Sequence, residues 1–145
     1  GGILAKAFAL LSGAIFTGII KAVAPAADSN DDSVPTTSWV LAVLQKIFRE
    51  HIVKDYSMEQ NGYIQGGDWV GGLNLQWGYG NSESTQTFPV KYPNTVIGIY
   101  GSKRAINYEY TFAATSITNT NFFMSTRNSE GSSRVIACNW LAIGQ

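Results

Sequence analysis

The sequence holds one cysteine, Cys138, and one histidine, His51. A lone cysteine excludes an intrachain disulfide framework, and a lone histidine excludes a metal site built from several imidazoles within one chain. Charge is also scarce: 14% of the 145 residues are charged, ten basic and ten acidic, for a formal net charge of zero. Phosphate backbones are held by a surplus of Lys and Arg, so this balance argues against a nucleic-acid partner. No N-x-S/T sequon occurs. Against these absences stand 45% hydrophobic residues, with 7 Tyr, 7 Phe and 4 Trp. A neutral, aromatic-rich chain suits assembly with copies of itself and recognition of uncharged surfaces such as sugars.

The N-terminal stretch "AFALLSGAIFTGIIKAVAPAA" admits three readings. A secretory leader fits its leading lysine and small-residue end, and a membrane span fits its length. Ser12, Gly13, Thr17 and Gly18 dilute both signals, because glycine and β-branched residues weaken a helix. In the third reading Leu11, Ile15, Phe16 and Ile19 are apolar side chains sheltered by sister chains about a threefold axis.

A turn-rich segment follows, "APAADSNDDSVPTT". Asp28, Asn30 and Asp32 match the first half of a calcium loop. Ser33 and Trp39 then stand where that loop needs glycine and a bidentate glutamate, so a plain acidic turn is expected and no metal. "TTSWVLAVLQKIFREHIVKDY" reads as one helix, capped by Thr37 or Ser38. Val40, Leu44, Ile47 and His51 recur at helical spacing and need a partner, which a short trimeric coiled coil supplies. On such a seam His51 is either a symmetry-axis group or an ordinary helix-end histidine.

From Met58 onward the pattern is β. Seven short runs rich in β-branched and aromatic residues alternate with Gly, Asn and Ser clusters, which predicts a small antiparallel β-sandwich or barrel. Leu73, Leu75 and Trp77 share one strand face, as do Tyr108, Tyr110 and Phe112, and Ile136, Cys138, Trp140 and Ala142. Pro89 and Pro93 mark an interrupted edge.

Several stretches together resemble phage tail fibres. "LSGAIFTGIIKAVAPAADSNDDSVPTTSWV" is similar to a tail-fibre stalk segment. "NGYI", "GGLNLQWGYG", "TFPVKYPNTV" and the terminal "NWLAIGQ" resemble the distal receptor-binding domain of fibres from contractile-tailed phages and R-type pyocins. Two departures are Trp39 in "PTTSWV" and the extra "GGDWV" turn. The resemblance implies a mainly β fold: an intertwined homotrimeric stalk with one short helix over residues 1–57, then a β-sandwich head over 58–145. It implies a virion protein at the distal end of a tail fibre, attached to lipopolysaccharide sugar or an outer-membrane protein. No cofactor is expected; a separate assembly chaperone is. Trp77, Phe88, Trp140 and Ile143 are expected in the core of the head or at a subunit interface.

Receptor contacts belong on loops held by the rigid sandwich. The polar loops are 79–86, 101–107, 119–121 and 127–133, which offer Tyr79, Asn81, Glu83, Lys103, Arg104, Asn107, Tyr108, Arg127 and Glu130, with Trp69 as a further aromatic. These supply a flat ring for a sugar's apolar face and amide, carboxylate or guanidinium groups for its hydroxyls. The competing readings are a purely structural trimerisation module and a glycan-degrading spike enzyme. Catalysis finds little support: Asp55, Glu59, Asp68, Glu83, Glu109 and Glu130 form no telling pair, and a Cys138–His51 couple joins a core-facing strand to the stalk helix.

Overall fold

The structure, a computed structural model, describes residues 23–26, 28–29, 35–105 and 109–145. Leu11, Ile15, Phe16, Ile19, Asn30, Asp32, Asn107 and Tyr108 lie outside the described residues. Contacts divide the chain between Leu44 and Gln45. Every strand of the described residues lies in the second unit, Gln45–Gln145.

Helix α1 spans Thr37–Ile47. Its cap is Thr36, one residue earlier than expected: Thr36 Oγ1 accepts the Trp39 N–H at 3.2 Å, satisfying one of the orphan donors of the first turn. None of its residues is buried, and Val40 (39% exposed), Leu41 and Leu44 stand open in the single chain. The helical reading of residues 36–56 is corrected at its end. A π-turn, Phe48–Ile52, follows α1, and Val53–Ser57 is strand β1. Those residues pair antiparallel with the next strand, and Tyr63 donates its hydroxyl to Asp55 Oδ2 at 2.8 Å, so ladder bonds replace helical ones.

The other strands are β2 (Gly62–Gly66), β3 (Asn74–Asn81), β4 (Ser84–Thr87), β5 (Val96–Lys103), β6 (Thr111–Thr115), β7 (Asn121–Arg127) and β8 (Ala137–Gly144). They form two antiparallel sheets, in the orders β1-β2-β3-β8-β5 and β4-β7-β6. Between the sheets lies a core of Phe88, Tyr92, Phe122, Met124, Ile136, Cys138, Trp140 and Ala142. Phe122 is central, with ring centroids 5.4 Å from both Phe88 and Trp140.

Alternation along β8 puts Cys138, Trp140 and Ala142 inward, as the sequence suggests. On β3 the apolar residues take the other side. Asn74, Gln76 and Gly78 face inward, whereas Leu75, Trp77 and Tyr79 are half-buried on the outer face. Gly78 is required there, since a Cβ would lie 2.5 Å from Trp140 Cε2. Trp77 and Ile143 therefore flank the sandwich, while Phe88 and Trp140 fill it.

Tyr92 is fully buried, and its hydroxyl lies near the Gln76 amide without a well-formed hydrogen bond. Burial pushes its pKa far up, and the neighbouring Gln76 amide opposes the shift only in part. The unfolded tyrosine loses its proton near pH 10.0 while the folded one keeps it. Stability therefore falls as pH rises above that value, by about 1.4 kcal/mol per pH unit for one proton. In urea titrations Tyr92→Phe is expected to flatten this alkaline limb. It should leave neutral-pH stability unchanged or up to about 1 kcal/mol higher, because no partner is lost.

Candidate functional site

Strand direction sorts the loops of the head. The chain enters at Val53, paired with Gly66; Gln65 pairs with Asn74, and Asn74 and Val96 both pair with Gly144. The opposite, far end is marked by Asn81 against Ala137 and by Lys103 against Cys138. Antiparallel crossing brings residues 58–61, 82–83, 104–105, 109–110 and 128–136 to that far end. Residues 67–73, 88–95 and 116–120 return to the entry end.

The far end gathers most of the expected contact residues. The Arg104 guanidinium sits over the Tyr79 ring, 5.1 Å from its centroid, and the Arg104 N–H donates to Ala137 O at 2.8 Å. Asn81 ends β3 exposed, and Lys103 ends β5 half-buried. Glu83, at φ 60, pairs with Arg127 at 2.8 Å and accepts the Thr126 N–H at 2.9 Å. This ion pair ties the β3–β4 turn to the end of β7, so Glu83 and Arg127 brace the surface. Glu130 is exposed in a turn whose N–H groups at 130 and 132 both reach Asn128 Oδ1.

Sequence reasoning missed four groups there. Asn61 Oδ1 accepts the Tyr79 N–H at 2.9 Å. Asn139, exposed, is the register partner of both Tyr79 and Ser102. A shallow hollow of about 290 Å³ runs beside that row, lined by Tyr100, Gly101, Ser102, Asn139, Trp140 and Leu141. Buried Ser82 donates to Arg134 O at 2.9 Å and accepts the Ile136 N–H at 2.9 Å, fastening residues 134–136 beneath the surface. The hollow was legible only as alternation in "CNWLA", which places Asn139 and Leu141 opposite Trp140.

Two expected features lie at the entry end. Trp69, 64% exposed, belongs to a single 3-10 turn, Asp68–Val70, closed by Gly71 and Gly72 at φ 68 and 67. Its ring stacks on His51 at 4.6 Å, and His51 Nδ1 lies 2.6 Å from Asp68 Oδ1. That hydrogen bond holds the Asp68 carboxyl below the usual range. His51 therefore sits in the last turn of the π-helical segment that follows α1, the ordinary helix-end position, with its ring in polar contact with Asp68. The 119–121 loop also lies at this end. Cys138 is fully buried at the far end, its thiol pKa raised by burial, so the Cys138–His51 couple is not assembled. Among the described residues no helix is long and apolar enough to cross a membrane, and no group of three His, Cys, Asp or Glu is placed to hold a metal.

Solved structures of similar fold include R-type pyocin tail fibres. An N-truncated R1-type pyocin tail fibre matches with a TM-score of 0.52 at 20% identity, over 77% of this chain and 98% of its own. An N-truncated R2-type pyocin tail fibre matches with a TM-score of 0.56 at 17% identity, over 97% of this chain and 62% of its own. A C-terminal piece of an R2 pyocin fibre from P. aeruginosa gives 0.56 at 18%, over 97% of this chain and 43% of its own. At these identities the likeness is one of fold, and the chain spans only part of the two R2-type structures. No curated protein matches the sequence. The family described as tail fiber protein gp53-like, C-terminal, matches residues 69–145, just over half of the chain. The chain belongs to that family and is a C-terminal domain of a phage or pyocin tail fibre.

Proposed function

We propose that this domain attaches a phage or pyocin particle to a bacterial surface glycan, chiefly lipopolysaccharide sugar, through the far end of the head. The observation that carries this is positional. Tyr79, Asn81, Lys103, Arg104 and Glu130 share the end opposite to chain entry, which is the end a fibre tip presents. Tyr79 with its overlying guanidinium offers a flat face, and Asn139, Ser102 and Asn81 offer hydrogen bonds to hydroxyls beside it. Glu83–Arg127 and Ser82 hold the loops in shape, which lowers the ordering cost of binding. The role is binding and not catalysis.

The working form is a homotrimer at the distal end of the fibre on the virion. The open apolar side chains of α1, with Tyr56 exposed on β1, favour self-association. Such surfaces are exposed until three chains meet, which is also the reason to expect an assembly chaperone. An outer-membrane protein as receptor, or a capping module without receptor contact, are the other outcomes of the test.

The test is binding of the full chain to immobilised lipopolysaccharides from a panel of Gram-negative strains. Wild type should retain at least one, and the double variant Tyr79→Ala/Arg104→Ala should weaken it about tenfold or more, since stacking and a charged hydrogen bond are each worth about 1 kcal/mol or more. Trp69→Ala should leave this binding unchanged. Equal retention of wild type and double variant would remove the far end as the site, and no retention on any strain would favour an outer-membrane protein receptor or the capping role.

A further inference from the structure

Arg104 and Arg127 stand at the far end in different circumstances. Arg127 is neutralised, its guanidinium 2.8 Å from the Glu83 carboxylate. Arg104, exposed just beyond β5, meets no carboxylate among the described residues; its guanidinium sits over the Tyr79 ring instead, 5.1 Å from the centroid. Both partners of this stack are anchored through the main chain. The Arg104 N–H donates to Ala137 O at 2.8 Å, and the Tyr79 N–H donates to Asn61 Oδ1 at 2.9 Å.

The stack decides what the far end can offer a ligand. A neutral sugar lays its apolar face on an aromatic ring, and here the guanidinium already occupies a face of the half-buried Tyr79. What is presented is a charged, planar fork of N–H donors, the geometry that pairs with a carboxylate or phosphate in two parallel bonds. Lys103, one residue earlier, adds a second cation without a carboxylate partner among the described residues. Beside the stack, Asn139 is the register partner of both Tyr79 and Ser102, and Asn139 and Ser102 are exposed. An amide and a hydroxyl both donate and accept, as sugar hydroxyls require. We infer that the far end selects an acidic sugar, one bearing a carboxylate or a phosphate, whose anionic oxygens Arg104 receives while Asn139 and Ser102 bond its hydroxyls. The chain's net charge of zero gives no general attraction for anions, so the preference comes from these placed groups. This names the ligand class of the attachment site and rests on that reading.

The full chain, labelled with ¹⁵N, is titrated with methyl glucoside, methyl glucuronide, glucose 6-phosphate and inorganic phosphate, each to about 50 mM, enough to fill a millimolar site. At least one acidic sugar is expected to shift the backbone signals of Tyr79, Arg104 and Asn139 saturably. It should bind about tenfold more tightly than methyl glucoside, the usual worth of a hydrogen bond to a charged group, and more tightly than inorganic phosphate. The tighter of the two acidic sugars tells a carboxylate ligand from a phosphate one. Arg104→Gln keeps an amide without the charge; it should melt as wild type and lose the preference. Raising sodium chloride from about 0.05 M to about 0.5 M should narrow the preference in wild type, because exposed charges are screened. The inference is overturned if methyl glucoside or inorganic phosphate binds as tightly as both acidic sugars, or if no sugar shifts these signals. It is equally overturned if Arg104→Gln or high salt leaves the preference intact. Each of these results leaves attachment to be decided by lipopolysaccharide retention, whereas shifts confined to residues away from the far end would remove both.

Discussion

Phe122→Ala is expected to destabilise the head by about 3–5 kcal/mol, the usual cost of emptying an aromatic site in a packed core. Phe122 is fully buried on β7, and its ring meets Phe88 and Trp140, which come from the 88–95 loop and from β8. Deleting it removes a central contact between the three-stranded sheet and the five-stranded one. Neighbours cannot collapse into the gap easily, because Trp140 is already seated over Gly78. A domain of this size has roughly 5–15 kcal/mol in total. The melting temperature should therefore fall by roughly 12–40 °C, at about 4–8 °C per kcal/mol. Circular dichroism melting of wild type and variant measures this; a shift of only a few degrees would mean that Phe122 does not join the sheets.

The second large effect concerns assembly. Light scattering on the full chain should give about 47 kDa, three times the 15.7 kDa chain, and Leu44→Asp should return it to the single-chain mass. Leu44 is 46% exposed on a helix with no buried residue, so the aspartate costs nothing within one chain. Within a three-chain seam it brings three carboxylates together in an apolar setting, where burying unpaired charge costs several kcal/mol per ion. A wild-type mass of one chain, or an unchanged trimer in Leu44→Asp, contradicts the proposed role of α1.

What the sequence made legible follows from what kind of signal each feature leaves. Strands β2 to β8 announce themselves through Gly- and Asn-punctuated runs, and β8 through inward alternation at Cys138, Trp140 and Ala142. The end of α1 leaves no such mark: Val53, Lys54 and Tyr56 continue a helical pattern as well as a strand, and pairing with β2 decides. On β3 the alternation is as expected, with Leu75 and Trp77 on one face, and that face is the outer one. Leu75 and Trp77 look like core, yet Gln76 faces inward because its amide is needed to hold Val90. The polar runs 79–86 and 101–107 read as loops, but Tyr79 and Asn81 lie in β3, Ser84–Thr87 is β4 and Lys103 ends β5. Which of them share an end depends on strand parity, and this separates Trp69 and residues 119–121 from Tyr79 and Arg104. Glu83 and Arg127 carry charges suited to a ligand, but they bind each other.

The account turns on which end of the sandwich meets the bacterium. Footprinting mass spectrometry of the full chain, with and without a retained lipopolysaccharide, reads this residue by residue. The account predicts that bound glycan protects Tyr79, Arg104 and Asn139 at the far end. A bound glycan that leaves all three as reactive as in the free chain would contradict it.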